Sequence, residues 1–298
     1  MNLIEIFRKF PTQEACLAHL EKARWGGQPR CTYCGSAHVG KHRELNKVRW
    51  QCYECRKSFS VTVGTIFHNT HIALQKWFLL ISLMLNAKKG LSAYQAARDI
   101  ELRRPTVWSM MHRVRVAMEA DGKLLMGVVE MDECYLGGKP RKGNKRDDDI
   151  NGGNKSTRGR GTKKLPVVGM VERGGRVKAK LVAKTDLKAK NLRDLIHASI
   201  DTAKAVLITD EYRGYRGIQP LLPHARINHG KCYARGIIHT NTIESFWAIV
   251  KRGILGQYHK VSAKYLDKYL KEFCYRYNMR NNAPPHTFSD MLERMLTA

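Results

Sequence analysis

The sequence predicts an α/β protein: a mixed sheet with helices packed on it, preceded by a small metal-bound ribbon and a helical module. Three observations carry that expectation. Two C-x2-C pairs stand near the start, an apolar helical stretch follows them, and from residue 124 short apolar runs alternate with amphipathic segments. At 298 residues the chain is long enough for a main domain with a sizeable core plus one or two small ones.

The first element is the ribbon. "CTYC" supplies Cys31 and Cys34, and "CYEC" supplies Cys52 and Cys55, with seventeen residues between the pairs. Each C-x2-C turn aims two thiolates at one tetrahedral ion, so two turns close a four-sulfur zinc site. A site with no open position is structural rather than catalytic. "KVRWQC" reads as a ribbon strand, and "KSFSVTVGTIF" as strand-like continuation past the last ligand. Cys16, Cys134, Cys232 and Cys274 have no such partner in sequence and read as ordinary buried residues.

Helices follow. "ALQKWFLLISLMLNA" has a broad apolar face and is broken by Gly90; "LSAYQAARDI" begins a second helix with Ser92 as N-cap. "PTVWSMMHRVRVAMEA" begins a third, with Pro105 near its first turn. Two short helices joined by a tight turn read equally as a helical connector or as a helix-turn-helix whose second helix enters a major groove. The ribbon and the charge favour the latter. Arg103 and Arg104 ahead of that helix, and Thr106, Ser109, His112, Arg113 and Arg115 on it, are then the residues to meet bases or phosphates.

From residue 124 the order is strand, hairpin, helix, strand, short helix, strand, helix. "LLMGVVEMDECYLGG" is an apolar strand interrupted by acids, and "LPVVGMVERGGRVKAKLVAKT" is a hairpin about Gly174 and Gly175. Between them lies a Gly-, Lys- and Arg-rich loop over residues 139–164, where Lys139, Arg141, Lys142, Arg158 and Arg160 suit a nucleic-acid contact and Asp147, Asp148 and Asp149 read as solvated. "DLKAKNLRDLIHASI" is an amphipathic helix, "AVLITDEYRGY" a buried strand ending in acids, and "HARINH" another short strand. "NTIESFWAIVKRGI" is a helix whose stripe runs Ile243, Phe246, Trp247, Val250 and Ile254. Asp132 thus falls on the first strand, Asp210 at the end of the fourth and Glu244 on the helix after the fifth. Strand carboxyl ends are where open α/β sheets hold ligands. Glu130 shares a strand face with Asp132, whereas Glu133 and Glu211 should point away.

Composition bounds the partners. Lys+Arg is 53 against 26 for Asp+Glu, a formal charge of +27, which exceeds what solubility asks and points to a polyanion, nucleic acid first. No membrane partner is expected: no apolar run reaches spanning length, and no long basic amphipathic helix is evident. The first residues lack the layout of a secretory signal, so the expected compartment is the cytoplasm, with reduced thiols.

These motifs together resemble bacterial insertion-sequence transposases of the DDE type with an N-terminal zinc ribbon, the ISXO-type group. The two C-x2-C pairs, "VVEMDECYLGG", "VLITDEYRGY", "HTNTIESFWAIVKRGI" and "VSAKYLDKYLKEFCYRYNMR" carry the resemblance over nearly the whole chain. It implies a ribonuclease-H-like catalytic core, with Asp132 and Asp210 as the first two catalytic acids. The third lies in "HTNTIES", and the six residues separating Glu244 from Lys251 favour Glu244 over Asn241. Asn241 is left to shape the site or cap the helix and, with Lys251 and Arg252, to meet DNA, and Lys251 joins the three acids as the basic catalytic residue. Such a core uses two Mg²⁺ or Mn²⁺ ions, roughly 3.5–4 Å apart. Asp132 is expected to bridge them, with Asp210 and Glu244 on either side.

The implied partners are transposon ends and target DNA, bound by a homodimer or higher oligomer, in a prokaryotic cytoplasm and associated with the nucleoid. The implied chemistry is hydrolysis at the transposon end, then attack of the freed 3′ hydroxyl on target DNA. A ribonuclease-H-like nuclease or resolvase that never joins, and a non-catalytic DNA-binding regulator, are the alternatives. The expected division is 1–68 for an N-terminal helix and ribbon, 69–122 for the helix-turn-helix, 123–260 for the catalytic domain and 261–298 for a C-terminal helical segment packing on the core.

Overall fold

A computed structural model describes residues 1–44, 47–119, 121–137, 164–215, 218, 220–228, 230 and 234–297. The chain forms two compact units, one of Met1–Glu119 with Asn281–Ala298 and one of Ala120–Arg280.

The first unit opens with α1 (Leu3–Lys9) and α2 (Gln13–Trp25). Asn2 and Glu5 form a capping box on α1, and the Thr12 hydroxyl accepts from the Ala15 amide on α2, so both helix starts are satisfied locally. The ribbon follows as an antiparallel sheet of β1 (Val39–Glu44), β2 (Lys47–Cys52) and β3 (Ser58–Phe59). The strand-like reading of "KSFSVTVGTIF" holds only for its start. Arg24 takes the carbonyls of Val61 and Val63 at 2.6 and 2.7 Å, and the Ser60 and Thr62 hydroxyls bond each other, so the backbone turns instead of extending the ladder.

The helices come next: α3 (Leu74–Asn86), α4 (Ala93–Asp99) and α5 (Arg104–Ala117). Ser92 caps α4 by accepting from the Gln95 amide, and Pro105 lies in the first turn of α5, as the sequence implied. The turn between them carries Glu101 at φ 51°, a left-handed position outside glycine's usual monopoly. The last helix, α9 (Pro284–Thr297), belongs to this unit, where Phe288 meets Phe10 and Phe78 in a ring cluster. The segment expected over 261–298 is therefore split. Its apolar faces satisfy two cores, and sequence periodicity does not say which core a face will meet.

The second unit is a five-stranded sheet in the order β6-β5-β4-β7-β8, built of β4 (Leu125–Leu136), β5 (Leu165–Glu172), β6 (Val177–Leu181), β7 (Ile200–Thr209) and β8 (His224–Arg226). The β4–β5–β6 meander is antiparallel, and β7 and β8 run parallel to β4. This is the ribonuclease-H-like strand order. Gly174, at φ 71°, makes the β5–β6 turn. Helix α6 (Ala189–Ser199) covers one face over Val129, Met131 and Leu207. Helices α7 (Asn241–Gly253) and α8 (Ala263–Asn278) cover the other over Val167, Val171 and Val177.

Gly169 on β5 lets α7 come close. A Cβ there would collide with the indole of Trp247 and press on Ile243, so the helix lies against bare backbone directly beside Asp132, the register partner of Gly169.

Candidate functional site

The sheet brings acids together by register. Strands β4 and β7 pair in parallel up to Met131 opposite Thr209. One residue further, Asp132 and Asp210 emerge side by side at the carboxyl end of the parallel pair. Glu133 joins them: Asp132, Glu133 and Asp210 each offer a carboxylate oxygen, all within 4.8 Å of one another. The expectation that Glu133 points away is corrected here. It leaves on the other face of β4, but β7 has ended, and the fully buried Tyr215 donates its hydroxyl to Glu133 Oε2 at 2.7 Å. Asp210 is shaped by its own turn, accepting from the Tyr212 amide at 3.0 Å.

Glu244 sits in the first turn of α7, exposed, with its carboxylate accepting from the Thr240 hydroxyl at 2.9 Å. It lies outside the tight cluster but within electrostatic reach. Burial, then the charges of Glu133, Asp210 and Glu244, push the Asp132 carboxyl up to about 7. A carboxylate that resists ionisation among other acids marks a place where positive charge belongs. Hard oxygen donors of this kind suit Mg²⁺ or Mn²⁺.

Lys251 stands two turns beyond Glu244, hydrogen-bonded to the thiol of Cys134, whose ionisation burial pushes up to about 11. Cys134 lies two residues past Asp132 on the same strand face. Helix α7 thus runs along β4 in the same sense, and both basic and acidic members of the Glu244–Lys251 pair border the acids. Arg252 is exposed beside Lys251. Asn241 is the first residue of the helix rather than its cap, and its amide donates to His239 Nδ1 at 3.4 Å. That nitrogen also lies 3.0 Å from Arg173 Nη2 and 3.4 Å from Glu130 Oε1.

The four cysteines assemble as their spacing implied. Cys31 and Cys55 lie 3.6 Å apart, as do Cys34 and Cys52, and all four sulfurs fall within 4.8 Å. A tetrahedral ion with Zn–S bonds of about 2.3 Å spaces its sulfurs by roughly 3.8 Å, so the set fits zinc. Although burial opposes it, backbone amides of Cys34 and Tyr33 and the neighbouring sulfurs bring Cys31 down to about 7. Cys34 is drawn toward thiolate by the backbone at Ser36 yet is pushed up to about 12 by desolvation and the other three sulfurs. Four thiolates share this space only around a cation.

The helix-turn-helix residues divide. Arg103, Arg104 and Ser109 are exposed and Thr106 half-buried near the start of α5. His112 and Arg115 are 4% and 1% exposed, inside the helical core, and are withdrawn as surface contacts. Arg113 is half-buried, donating to the His68 carbonyl at 2.8 Å with its guanidinium over the Trp77 ring. The second half of α5 is buried almost all round, so polar residues there face the core and not a groove. Trp108, one turn after Arg104, is exposed and edge-on to His112. Lys139, Arg141, Lys142, Arg158, Arg160 and the three loop aspartates lie outside the described residues.

A ribonuclease-H-like sheet with carboxylates converging at the ends of its parallel strands, on a chain that also carries a four-cysteine ribbon, is the architecture of a nucleic-acid-processing class that includes transposases. Comparison with known families narrows this: an ISXO2-like transposase domain matches residues 124–278, and a transposase zinc-ribbon domain matches residues 11–58. The chain belongs to the ISXO2-like transposase family. An uncharacterized protein in transposable element ISH50 of Halobacterium salinarum is 28% identical over 97% of this chain and 99% of its own length. A chain in the crystal structure of the Mos1 strand transfer complex aligns over 73% of this chain and 78% of its own, at 11% identity and a TM-score of 0.26, too faint to bear on fold or function. Among the described residues, no helix is long and apolar enough to cross a membrane.

Proposed function

We propose that this transposase binds the ends of its own element, hydrolyses a phosphodiester there and joins the freed 3′ hydroxyl to target DNA at the Asp132 site. The observation that carries the reading is the convergence of Asp132, Glu133 and Asp210, where burial first, then the charges of Glu133 and Asp210 and last that of Glu244, raise the Asp132 carboxyl to about 7. Asp132, Asp210 and Glu244 are the acids that would hold divalent metal, and Glu133, anchored by Tyr215, is a fourth carboxylate at its edge. The metal supplies charge stabilisation to the attacking and leaving oxygens of an in-line displacement. Lys251 provides a point charge for the DNA backbone beside the acids.

The exposed start of α5, with Arg103, Arg104, Thr106, Trp108 and Ser109, is the surface we assign to end recognition, since base contacts come from the first turns of a recognition helix. The zinc ribbon adds a second DNA contact. Two ends must meet for a productive reaction, so the active complex is a dimer or larger.

The test is a labelled element-end duplex with target plasmid and Mg²⁺, beside Asp132→Ala. Nicked and joined products, both reduced about 10³-fold or more in the variant, are expected. Nicking without joining would make the protein a nuclease, and tight end binding without chemistry a regulator.

A further inference from the structure

The carboxylate of Glu130 is fully buried in the sheet, two residues from Asp132 on the same face of β4, yet it takes no part in the acid cluster. Its oxygens are occupied. Oε2 accepts from the amides of Thr242 and Ile243 at 2.8 and 3.0 Å. Oε1 accepts from the Thr242 hydroxyl at 2.9 Å and from Arg173 Nε at 2.6 Å. Four donors fill the acceptor positions of one carboxylate and leave none for a metal.

Those amides belong to the first turn of α7, where helices have unsatisfied donors and a positive dipole end. The residue in the N-cap position, Thr240, makes no side-chain capping bond; its hydroxyl goes to Glu244 instead. The cap is supplied from the sheet. Arg173 balances the buried charge and carries the clamp further, donating Nη1 to the carbonyl of Ile237 at 2.7 Å and Nη2 to that of His239 at 2.9 Å.

We propose that Glu130 is a positioning residue that sets Glu244 against Asp132. This rests on the reading of Asp132, Asp210 and Glu244 as the metal site. The apolar stripe of α7 fixes its distance from the sheet, but apolar contacts are non-directional and hold a helix weakly against sliding along its axis. A slip of one residue is about 1.5 Å, enough to move Glu244 out of register with Asp132. Four hydrogen bonds from one fixed carboxylate to the helix start and its clamp remove that freedom.

Mn²⁺ binding to the full-length protein, followed by the spin resonance of free Mn²⁺, tests the proposal without requiring catalysis. The set is wild type, Asp132→Ala, Glu130→Gln, Glu244→Ala and the Glu130→Gln/Glu244→Ala double variant. Glu130→Gln keeps the volume but must turn its amide nitrogen on either the helix amides or Arg173. We expect it to weaken Mn²⁺ about tenfold, as loss of an orienting partner does. It should have little further effect once Glu244 is gone, because it acts through that residue. Faster amide exchange confined to residues 242–244 should accompany it.

Equal weakening in the Glu244→Ala background, or unchanged Mn²⁺ affinity in Glu130→Gln, overturns the proposal and leaves the metal site standing. Wild-type protein that ignores Mn²⁺, or binds it as well after Asp132→Ala, removes the metal reading and the proposal together. Should Glu130→Gln fail to fold, Thr242→Val deletes one of the four bonds. It should weaken Mn²⁺ about two- to threefold, and only when Glu244 is present; any other pattern counts against the proposal.

Discussion

Among the described residues, the two clusters that suit metal ions are made in opposite ways. The zinc site is assembled by two tight turns, each carrying its own pair of cysteines, and the intervening β1–β2 hairpin joins them. The acid site has no local unit. Asp132 and Asp210 meet only through the parallel β4–β7 register, and Glu244, which we propose completes the site, arrives on a helix more than a hundred residues after Asp132. The first site can be lost by changing one ligand. The second can be lost by moving a helix that contains no ligand error at all.

The largest expected effect tests the independence of the two. Cys52→Ser should abolish zinc, read as about one ion per chain falling to none by metal analysis, because it opens the closed four-sulfur set on which structural zinc depends. Mn²⁺ affinity at the acids should be unchanged. A parallel loss of Mn²⁺ would show that the two sites fold as one.

Next comes Gly169→Ala. The added methyl meets the Trp247 ring, and the cost expected for overpacking is about 1–3 kcal/mol in unfolding free energy. If α7 shifts to relieve it, Mn²⁺ affinity should fall as well, although every ligand is intact. Chemical denaturation beside Mn²⁺ titration separates the two consequences.

How much of this was legible follows the same contrast. The cysteine spacing, the Ser92 cap, the Gly174 turn and the amphipathic stripe of α7 are local signals, and each appears where the sequence placed it. Asp132 and Asp210 were legible because strand ends are recognisable in sequence. Glu133 was misplaced because alternation along β4 assumes a neighbour strand, and β7 stops before it. His112 and Arg115 looked like DNA contacts because polarity reads as exposure until a core surrounds it. The Glu130 cap had no local sign: its donors lie 112 and 113 residues away.

A smaller effect is one of pH. The Asp132 carboxyl is raised to about 7 by burial and neighbouring acids, so the metal-free protein holds a proton there that the metal must displace. Apparent Mn²⁺ affinity should therefore fall about tenfold per pH unit below 7 and level off above it. The sign for stability is opposite. A folded-state value above the unfolded one means that the metal-free protein gains stability from this group as pH falls from about 7 toward 4. A flat Mn²⁺ affinity between pH 5.5 and 8 would show that Asp132 is already ionised without metal.

The smallest effect expected is Tyr215→Phe. The ring is buried in the α6 face and its hydroxyl serves only Glu133 among the contacts described, so the substitution keeps the packing and removes one hydrogen bond to a carboxylate. Glu133 then loses its anchor while Asp132 and Asp210 keep theirs. If Glu133 belongs at the edge of the metal site, Mn²⁺ affinity should change about two- to fivefold, with the unfolding midpoint nearly constant. If Glu133 were a direct ligand as essential as Asp132, Tyr215→Phe would approach the effect of Asp132→Ala. A result between those limits would rank the fourth carboxylate against the three that the strand ends and α7 supply.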